Sequence, residues 1–353
     1  MRRQNLRNGR SRAFGSRGSS LELVKRSVTI GLILLSVFIA TYFLSLKDNA
    51  LLDKAIQDAK QNNARDNANN SGSINDNSKK ESRNHGKATK SKTHHCLNKD
   101  FQPQHSVGIW TMLNDNMSYV RGAIKMGKGV QAHTKTPHDL VVMELETKPL
   151  SEEEWRLLSE VGFIKCQVSN IPPPDGVKTR PDLKEKFAVL HVWAMEVYDT
   201  VLFLDADTFV QNSVDDLIHM DLQGKPLGVT KDIRNKKWVD TFNSGVMVIH
   251  PSVAEHERLL GLLGSGLKFE YVMSDQGFLN EVYKGNWHEI GFVNNANLAL
   301  YRFQRDYWDQ FKLKDINVIH YTMQKPWKCQ SKGAYGPICD IWINAFPEVD
   351  KTK

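Results

Sequence analysis

Apolar runs and amphipathic segments alternate along the chain after about residue 105 and predict its secondary structure. The apolar runs that predict buried strands are 107–113, 139–144, 161–168, 201–204, 242–249 and 318–321. The segments that predict helices are 119–130, the stretch opened by Ser151, 186–198, and the stretch opened by Ser274. Strands and helices that alternate with short connections indicate an α/β domain around a mostly parallel sheet.

Two acidic residues follow the fourth predicted strand directly. Asp205 and Asp207 flank Ala206 after the run 201–204, and a strand buried on both faces does not hold unpaired charges. We therefore expect them at the carboxyl end of that strand, where open α/β sheets form their ligand crevice. Two carboxylates there can bind one hard divalent cation. The alternative is a turn in which the carboxylates only cap neighbouring backbone, and this tripeptide alone does not decide between the two.

The distribution of charge restricts the partners. The 353 residues carry a formal net charge of +7. Residues 1–26 contain eight Arg or Lys residues and one Glu, so they account for the whole excess. The rest of the chain is formally neutral, which argues against a basic nucleic-acid-binding surface on the folded part.

A membrane anchor is predicted directly after this basic tail. Residues 27–46 contain no charged residue and, at roughly 1.5 Å per residue, form a helix about as long as a bilayer's hydrocarbon core is thick. The run is longer than a signal-peptide core and lacks a nearby small-x-small cleavage site, so an anchor is favoured over a cleaved signal. The positive-inside rule then places residues 1–26 in the cytosol and everything after residue 46 in the lumen.

The remaining chain divides into a stem, a domain and a tail. Residues 47–104 are rich in Asn, Lys, Asp and Ser and bury too little apolar surface to fold, so they predict a flexible stem. The catalytic domain is predicted over 105–346 and a short tail over 347–353. In a lumen, Cys329 and Cys339 are able to pair. For Cys166, beside an apolar segment, we expect a free buried thiol, and Cys96 falls in the stem.

Polar residues at the ends of later elements add candidate chemistry. His320 ends a predicted strand, and its nitrogen with the two carboxylates makes a mixed ligand set that suits Mn²⁺ better than Ca²⁺. Lys325 is near enough for its ammonium to meet a phosphate on the same metal. Asp275 and Gln276 open a helix that faces a substrate. The alternatives are an ordinary buried histidine, a surface lysine and a plain helix cap.

Taken in this order, the segments resemble glycosyltransferase family 8, the glycogenin-like retaining sugar transferases. The resemblance covers about residues 107–327. The shared motifs are Arg180-Pro181-Asp182-Leu183, the Leu and Trp of Leu190-His191-Val192-Trp193, Phe203-Leu204-Asp205-Ala206-Asp207-Thr208, Phe242-Asn243-Ser244-Gly245-Val246, Asp275-Gln276-Gly277 with Leu279-Asn280, and His320-Tyr321 before Lys325-Pro326-Trp327.

The resemblance implies a Rossmann-like nucleotide-sugar-binding fold in which a UDP-sugar binds through Mn²⁺, with Mg²⁺ as the alternative cation. It assigns the cation to Asp205, Asp207 and His320. It places at the nucleotide sugar Asn114, Tyr119, Arg180, Lys186, Asp205, Ala206, Asp207, Asn243, Ser244 and Lys325. Asp275 and Gln276 are the candidate catalytic residues beside the transferred sugar. Asp275 is the candidate nucleophile if retention uses a covalent intermediate instead of a same-face displacement.

With the predicted anchor and stem, the chain resembles the type II Golgi membrane members of this family. Their resemblance implies a lumenal catalytic domain that acts on a glycan or glycoprotein acceptor in the secretory pathway, with the membrane as a further partner. The sequence leaves a homodimer open. It names neither the sugar nor the acceptor.

Several positions depart from the family pattern. The family often has a lysine where Val189 stands, and Lys186, one helical turn earlier, is expected to replace it. Met273 and Ser274 stand where glycines commonly precede Asp-Gln-Gly, and Met323 where a glycine commonly follows the His-Tyr pair. Each puts a side chain where backbone commonly approaches the donor, so these positions bear on donor identity and on activity.

Two other functions stay open at this point. The segment 204–208 also fits the opening motif of haloacid-dehalogenase-type magnesium phosphatases, in which Asp205 would be the nucleophile. In that fold, however, the motif follows the first strand, and no later Asp-Asp pair after an apolar strand is evident here. The departures above also leave room for a catalytically inactive member of the family that only binds the donor.

Overall fold

The computed structural model describes residues 94–114, 116–177, 180 and 183–351, which all lie in the compact unit 81–353. Their strands are β1 Val107–Leu113, β2 Asp139–Leu145, β3 Phe163–Val168, β4 Thr200–Leu204, β5 Thr208–Val210, β6 Gly228–Arg234, β7 Lys237–Ile249, β8 His288–Glu289, β9 Ala296–Asn297 and β10 Val318–His320. Their α-helices are α1 Met117–His133, α2 Glu152–Glu160, α3 Asp215–Ile218, α4 Val253–Gly264, α5 Ser274–Val282, α6 Leu298–Phe303, α7 Arg305–Trp308 and α8 Gly336–Asn344. The 3₁₀ helices are Lys186–Ala194, Tyr271–Met273, Phe292–Asn294, Leu313–Asp315, Pro326–Lys328 and Val349–Lys351.

Two sheets organise these elements. The larger has seven strands in the order β3-β2-β1-β4-β7-β6-β8, and its first four strands run parallel. β7 joins β4 antiparallel, and the smaller sheet has the order β5-β10-β9. The predicted α/β class with a mostly parallel sheet is confirmed, and the acid pair does follow the fourth strand.

The larger sheet is buried on both faces, as parallel sheets require. Along β1, Trp110 and Met112 enter one apolar core while Ile109 and Leu113 enter the other, because successive side chains of a strand point to opposite faces. α4 and the 3₁₀ helix Lys186–Ala194 cover the first face, whereas α1 and α2 cover the second.

Two elements differ from the sequence-based expectation. Residues 186–198 form a 3₁₀ helix over Lys186–Ala194 and then a turn, where an α-helix was predicted. This helix is buried from Phe187 onward, so its backbone conformation is determined by packing and not by intrinsic helix propensity. The run 242–249 is the second half of β7, which pairs with β6 through a tight turn at Asn235 and Lys236. Both turn residues have positive φ, 47° and 66°. Turns of this kind usually contain Gly, and because this one does not, the hairpin was not predicted from the sequence.

The free thiol expected at Cys166 is wrong, because Cys166 forms a disulfide with Cys96. Leu97 N–H donates to Gln167 O at 2.7 Å, and Phe101 is 3% exposed. Residues 94–104, assigned to the flexible stem, therefore begin the folded unit along the edge strand β3. The polar composition of this segment did not indicate that it folds, because its packing depends on only a few apolar side chains. Cys329 and Cys339 form a second disulfide.

Removing the first disulfide is expected to destabilise the domain strongly. It closes a loop of 70 residues, for which loop-closure entropy gives about 4 kcal/mol. The Cys96→Ser variant should lose about this much free energy of unfolding in urea titrations. The control is Cys329→Ser, whose loop of 10 residues predicts about 3 kcal/mol. A Cys96→Ser variant as stable as the parent would contradict the packing of the 94–104 segment.

Segments outside the catalytic domain were also predicted at both ends of the chain. Within the predicted tail 347–353, Val349 is buried, and Asp350 forms a 2.8 Å ion pair with the fully buried Lys125 of α1. This part of the tail therefore packs on the domain. The predicted anchor 27–46 and basic tail 1–26 lie outside the described residues. None of the helices among residues 94–351 that are described is long and apolar enough to cross a bilayer.

Candidate active site

A cavity of about 560 Å³ opens at the carboxyl ends of β1 and β4. Because these strands are parallel neighbours, the residues that follow them meet at one edge of the sheet. Of the residues predicted at the nucleotide sugar or as catalytic, the cavity is lined by Asn114, Tyr119, Arg180, Lys186, Asp205, Ala206, Asp207, Asn243, Gln276 and Lys325. Ser244 and Asp275 lie behind this wall, buried.

The acid pair occupies the turn at which the chain leaves one sheet for the other. Asp205 N–H donates to Gly245 O at 2.8 Å, and Thr208 N–H closes the turn on Asp205 O at 2.9 Å. β10 then pairs antiparallel with β5, with His320 opposite Thr208. This register brings the histidine beside the two carboxylates, although it is more than 100 residues away in sequence.

Three acceptor atoms converge at this turn. His320 Nε2 lies 3.4 Å from Asp207 Oδ1 and 3.9 Å from Asp205 Oδ2. The other carboxylate oxygens are occupied, since Asp205 Oδ1 accepts from Lys186 Nζ at 2.6 Å and Asp207 Oδ2 accepts from Lys325 Nζ. The carboxylates therefore contact side chains and do not serve as the backbone caps of the alternative interpretation.

The orientation of the His320 ring is fixed by its neighbours. Gly245 N–H donates to Asn243 Oδ1 at 3.0 Å, and Asn295 Nδ2 donates to the same oxygen at 3.0 Å. Asn295 therefore turns its own Oδ1 toward His320 Nδ1, 3.1 Å away. A carboxamide oxygen only accepts, so His320 Nδ1 donates to Asn295 Oδ1, and Nε2 is the ring nitrogen that faces the two carboxylates.

This arrangement fits a divalent cation. The potential ligand atoms of Asp205, Asp207 and His320 all fall within 4.8 Å of one another, and a cation between them would balance the charges of the two carboxylates. Ligating histidines almost always donate their other ring N–H to an acceptor, which is the part that Asn295 plays. A set of two carboxylates and one imidazole suits Mn²⁺ or Mg²⁺ by its oxygens and favours Mn²⁺ by its nitrogen.

The hydrogen-bonded chain continues from the histidine to a buried acid. Asn243 Nδ2 donates to Gln276 Oε1 at 3.3 Å, and Gln276 Nε2 donates to Asp232 Oδ2 at 3.3 Å. Ser244 N–H also donates to Gln276 Oε1, which fixes the orientation of that amide. Sequence reasoning missed both Asp232 and Asn295. Asp232 belongs to the unpredicted hairpin, and only the cluster of Asn over 294–297 hinted at Asn295.

Charge balance at the turn sets the protonation of its acids and bases. Burial by itself raises the pKa of Asp207, yet His320 and Lys325 lower it more, so the pKa lies well below the usual range. Burial by itself lowers the pKa of Lys186, but Asp205 and Asp275 outweigh this and raise it. Asp207 is therefore ionised and Lys186 protonated at neutral pH. Lys186 thus reaches the acid pair from the 3₁₀ helix, while Val189, where the family often has lysine, is fully buried.

Two glycines let backbone and ring approach the turn closely. A Cβ on Gly245 would lie 2.1 Å from His320 Cε1, and one on Gly122 of α1 would lie 2.2 Å from Ala206 O. Both contacts are too short for any side chain. The glycine of the Asn-Ser-Gly segment is therefore required because the imidazole ring lies against it.

Replacing Gly245 by alanine is expected to displace the His320 ring and to lower metal-dependent turnover. A misplacement of about 1 Å at a reacting centre costs about 100-fold, so turnover should fall about 100-fold at limiting Mn²⁺. The measurement is a titration of turnover with Mn²⁺. Gly261→Ala is the matched control, since a Cβ at this position of α4 meets nothing within 4 Å. Equal Mn²⁺ dependence in the two variants would contradict the placement of His320 at the metal.

The start of α5 forms the far wall of the cavity. Gln276 and Met273 line it, whereas the Asp275 carboxylate accepts from Ser244 Oγ at 3.3 Å behind it. Ser274 is fully buried with φ of 52°, a conformation that favours glycine, and its Oγ donates to Leu183 O at 2.7 Å. The serine and the aspartate are thus engaged with other elements and do not cap the helix. Burial, aided by Asp205 and opposed by Lys186, raises the pKa of Asp275 to about 6.

An aromatic and cationic group also contributes to the cavity wall. The Tyr119 ring packs against Trp327 with centroids 4.5 Å apart, and Lys325 Nζ lies 5.9 Å from the Tyr119 centroid. Asn114 Nδ2 donates to Glu185 at 3.4 Å. Arg180 lines the cavity from an exposed position. Asn114, Tyr119, Arg180 and Lys325, all expected at the nucleotide sugar, therefore line the same cavity.

Comparison with known proteins gives the family. The family model described as "Glycosyl transferase family 8" matches residues 110–331. Glycogenin-1 of Mus musculus is 30% identical over 230 residues, 61% of this chain and 64% of that protein. UDP-glucuronate:xylan alpha-glucuronosyltransferase 2 of Arabidopsis thaliana is 28% identical over 225 residues, 62% of this chain and 35% of that protein. The chain thus spans less than two thirds of the length of these relatives.

Solved structures show the same fold at lower identity. The apo structure of the bifunctional glycosyltransferase WbbM aligns with a TM-score of 0.52 and 16% identity, over 72% of this chain and 53% of that one. Apo GlyE of Streptococcus pneumoniae, a glycosyltransferase, gives 0.50 and 18%, over 70% of this chain and 63% of that one. The resemblance of the motifs is thereby confirmed, and the phosphatase alternative is not favoured. The family model covers more than half of the chain, which belongs to glycosyltransferase family 8.

Proposed function

We propose that the protein is a retaining glycosyltransferase that moves a sugar from a UDP-sugar to a glycan or glycoprotein acceptor and depends on Mn²⁺. The observation that carries the proposal is the convergence of Asp205 Oδ2, Asp207 Oδ1 and His320 Nε2 at the 560 Å³ cavity. Ligand pockets commonly have about 300–1,000 Å³, so a nucleotide sugar fits. The family supports glycosyl transfer, and the name of the Arabidopsis relative contains a UDP-sugar donor.

The two lysines are proposed to bind the donor diphosphate. The side chains of Lys186 and Lys325 are 29% and 35% exposed and pair with the outer oxygens of the acid pair. Their ammonium groups can turn from these oxygens to phosphate oxygens with little movement. When bound, Mn²⁺ supplies a positive charge that stabilises UDP as the leaving group. The lysines would add positive charge on either side of that group.

The two ends of the cavity are proposed to divide the donor between them. Tyr119, with Asn114 and Arg180, would hold the uracil and ribose by ring contact and hydrogen bonds. Asn243 and Gln276 would border the transferred sugar, since both line the cavity and hydrogen-bond to each other. The hydrogen-bonded chain to Asp232 keeps both amides in one orientation. This orientation is expected to fix which hydroxyls of the sugar meet a hydrogen-bond donor and which meet a hydrogen-bond acceptor.

The position of Asp275 favours one route to retention. A nucleophile must face the sugar, but the Asp275 carboxylate accepts from Ser244 Oγ behind the cavity wall. A same-face displacement past Gln276 therefore agrees better with this arrangement than a covalent intermediate on Asp275. We propose that the negative charge of Asp275 keeps Lys186 protonated, since Asp275 helps to raise the pKa of this lysine.

The test is UDP release by the full-length protein with a panel of UDP-glucose, UDP-galactose, UDP-xylose and UDP-glucuronate. We expect release with one or more donors in Mn²⁺, weaker release in Mg²⁺ and none in EDTA. If a UDP-sugar raises the Tm of the protein but no donor is turned over, the protein is better explained as an inactive family member that only binds the donor. Hydrolysis of a phosphate ester through a covalent Asp205 adduct, without sugar-nucleotide binding, would overturn the proposal.

We further propose that residues 27–46 anchor the protein in the Golgi membrane as a type II protein, with the catalytic domain in the lumen. Both described disulfides support an oxidising compartment. The test is protease treatment of sealed microsomes that contain the protein with a C-terminal tag. The tag should be protected until detergent is added, and digestion in intact vesicles would contradict the proposed topology.

A further inference from the structure

Three histidines form a second cluster outside the donor cavity. One ring nitrogen each of His95, His191 and His256 lies within 4.8 Å of the others. The rings of His95 and His191 lie 5.1 and 5.3 Å from that of His256, centroid to centroid. His256 is 3% and His191 6% exposed, whereas His95 is exposed to solvent. None of the three lines the donor cavity.

The buried members of this cluster have nitrogens without hydrogen-bond partners among the described residues. These atoms are Nδ1 and Nε2 of His256 and Nδ1 of His191. His191 Nε2 lies 3.1 Å from Ser169 O, and a carbonyl only accepts, so Nε2 carries the proton and Nδ1 the lone pair. Buried polar atoms are nearly always satisfied, so these nitrogens indicate a group that binds them.

The local electrostatics keep the buried rings neutral. Burial lowers the pKa of His191, and His95 adds to this. Burial lowers the pKa of His256 to about 4, with further lowering from His191 and His95. At neutral pH these two imidazoles therefore offer lone pairs, which is the form that binds a metal.

We propose that His95, His191 and His256 bind one Zn²⁺ ion, separately from the metal of the donor site. A set of three imidazoles suits zinc, whose bonds to histidine nitrogen are about 2.0–2.1 Å long. Zinc binding would draw together nitrogens that now lie within 4.8 Å of one another, and His95 is the exposed member of the three. Because His95 is exposed to solvent, a water molecule can supply the fourth ligand. By contrast, the carboxylates of the donor site favour Mn²⁺.

The ion would join three segments that the chain brings together from far apart. His95 precedes Cys96, whose disulfide fixes this segment to β3. His191 belongs to the 3₁₀ helix that also carries Lys186, and His256 lies in the first turn of α4. Ser252 N–H, at the start of α4, donates to Trp193 O at 2.7 Å. Zinc binding would therefore brace the helix from which Lys186 reaches the acid pair, and it would stabilise the folded state because the unfolded chain lacks the site.

The test uses the untagged full-length protein carrying Asp207→Asn, which weakens the donor-site metal. After dialysis against a chelator, the protein receives ZnCl₂ and is passed over a desalting column, and zinc per chain is measured by mass spectrometry. We expect one zinc per chain and a rise in Tm of about 5 °C at a hundredfold excess over Kd. Co²⁺ in place of Zn²⁺ should give the strong visible absorption of a four-coordinate site.

Three variants in this background decide the outcome. His95→Ala, at an exposed position, should leave the metal-free protein folded and weaken zinc binding at least tenfold. His256→Gln should abolish both the retained zinc and the shift in Tm. His94→Ala is the matched control, since the neighbouring exposed histidine is outside the cluster, and it should bind like the parent. Absence of zinc from the parent, or equal zinc affinity in His95→Ala and His94→Ala, would overturn the proposal.

Discussion

Replacing Asp207 by asparagine is expected to abolish metal-dependent UDP release while leaving the domain folded. Changes to residues that only support metal ligands commonly cost about 10–100-fold. Loss of a ligand carboxylate should exceed that, so we expect a decrease of more than about 100-fold at any Mn²⁺ concentration. The fold should survive because Asp207 lies at the end of a strand, and its backbone O still accepts from Tyr321 N–H at 3.0 Å.

The stability of this variant separates the metal site from a structural role. Breaking a buried ion pair costs about 3–5 kcal/mol, but Lys325 is 35% exposed on its side chain and can turn to water, so the loss should be smaller. Asp139→Asn is the matched control. This buried carboxylate accepts from Gln104 and His105 N–H at the opposite end of the sheet, so its loss should lower stability and keep turnover. If Asp207→Asn unfolds the domain, the carboxylate serves the fold and the metal assignment fails.

The sequence predicts those site residues whose positions are determined by neighbouring residues in the chain or by a recognisable motif. Asp205 and Asp207 were located correctly because a buried strand cannot hold unpaired charge, a rule that needs only neighbouring residues. His320 was predicted by motif order, and the β5–β10 register explains its position. Lys186 was expected to replace the family's lysine at Val189, and its ammonium does reach Asp205.

The residues that were missed depend on contacts between distant segments. Asn295 supports His320 from the position between the 3₁₀ helix Phe292–Asn294 and the two-residue strand β9, and no local pattern marks it. Asp232 was hidden by a hairpin whose turn uses Asn235 and Lys236 where Gly is common. The Cys96–Cys166 pair required knowledge that a polar segment lies along β3. Each of these depends on which strands are neighbours, and that information is absent from periodicity.

Replacing Asp275 by asparagine is expected to stabilise the metal-free protein and to impair turnover. Burial raises the pKa of this carboxyl to about 6, so the folded state binds its proton more tightly than the unfolded chain, in which the pKa is about 3.9. The free energy of unfolding therefore falls as pH rises from about 4 to about 6 and stays lower above that range. Asparagine avoids this cost and still accepts from Ser244 Oγ.

The gain should amount to about 2–3 kcal/mol at pH 7.5 and about half of that at pH 5. It is measured by urea unfolding in EDTA at the two pH values. Asp215→Asn is a control of opposite sign: hydrogen bonds from Ser213 and Thr136 lower the pKa of Asp215, so its loss should destabilise. Equal stability of Asp275→Asn and the parent at pH 7.5 would show that the buried carboxylate carries no such cost.

The same variant tests how the carboxylate serves the reaction. Without Asp275, Lys186 loses one of the two acids that chiefly raise its pKa, so its ammonium is held less firmly beside the acid pair. We expect UDP release to fall at least about tenfold, with a larger effect on turnover number than on the KM for the donor, since the charge is needed as the diphosphate leaves. Detection of a trapped glycosyl adduct on Asp275 in the parent protein would contradict this charge role and show that Asp275 is the nucleophile. Unchanged turnover together with raised stability would remove Asp275 from the reaction and leave Gln276 as the residue of α5 that faces the sugar.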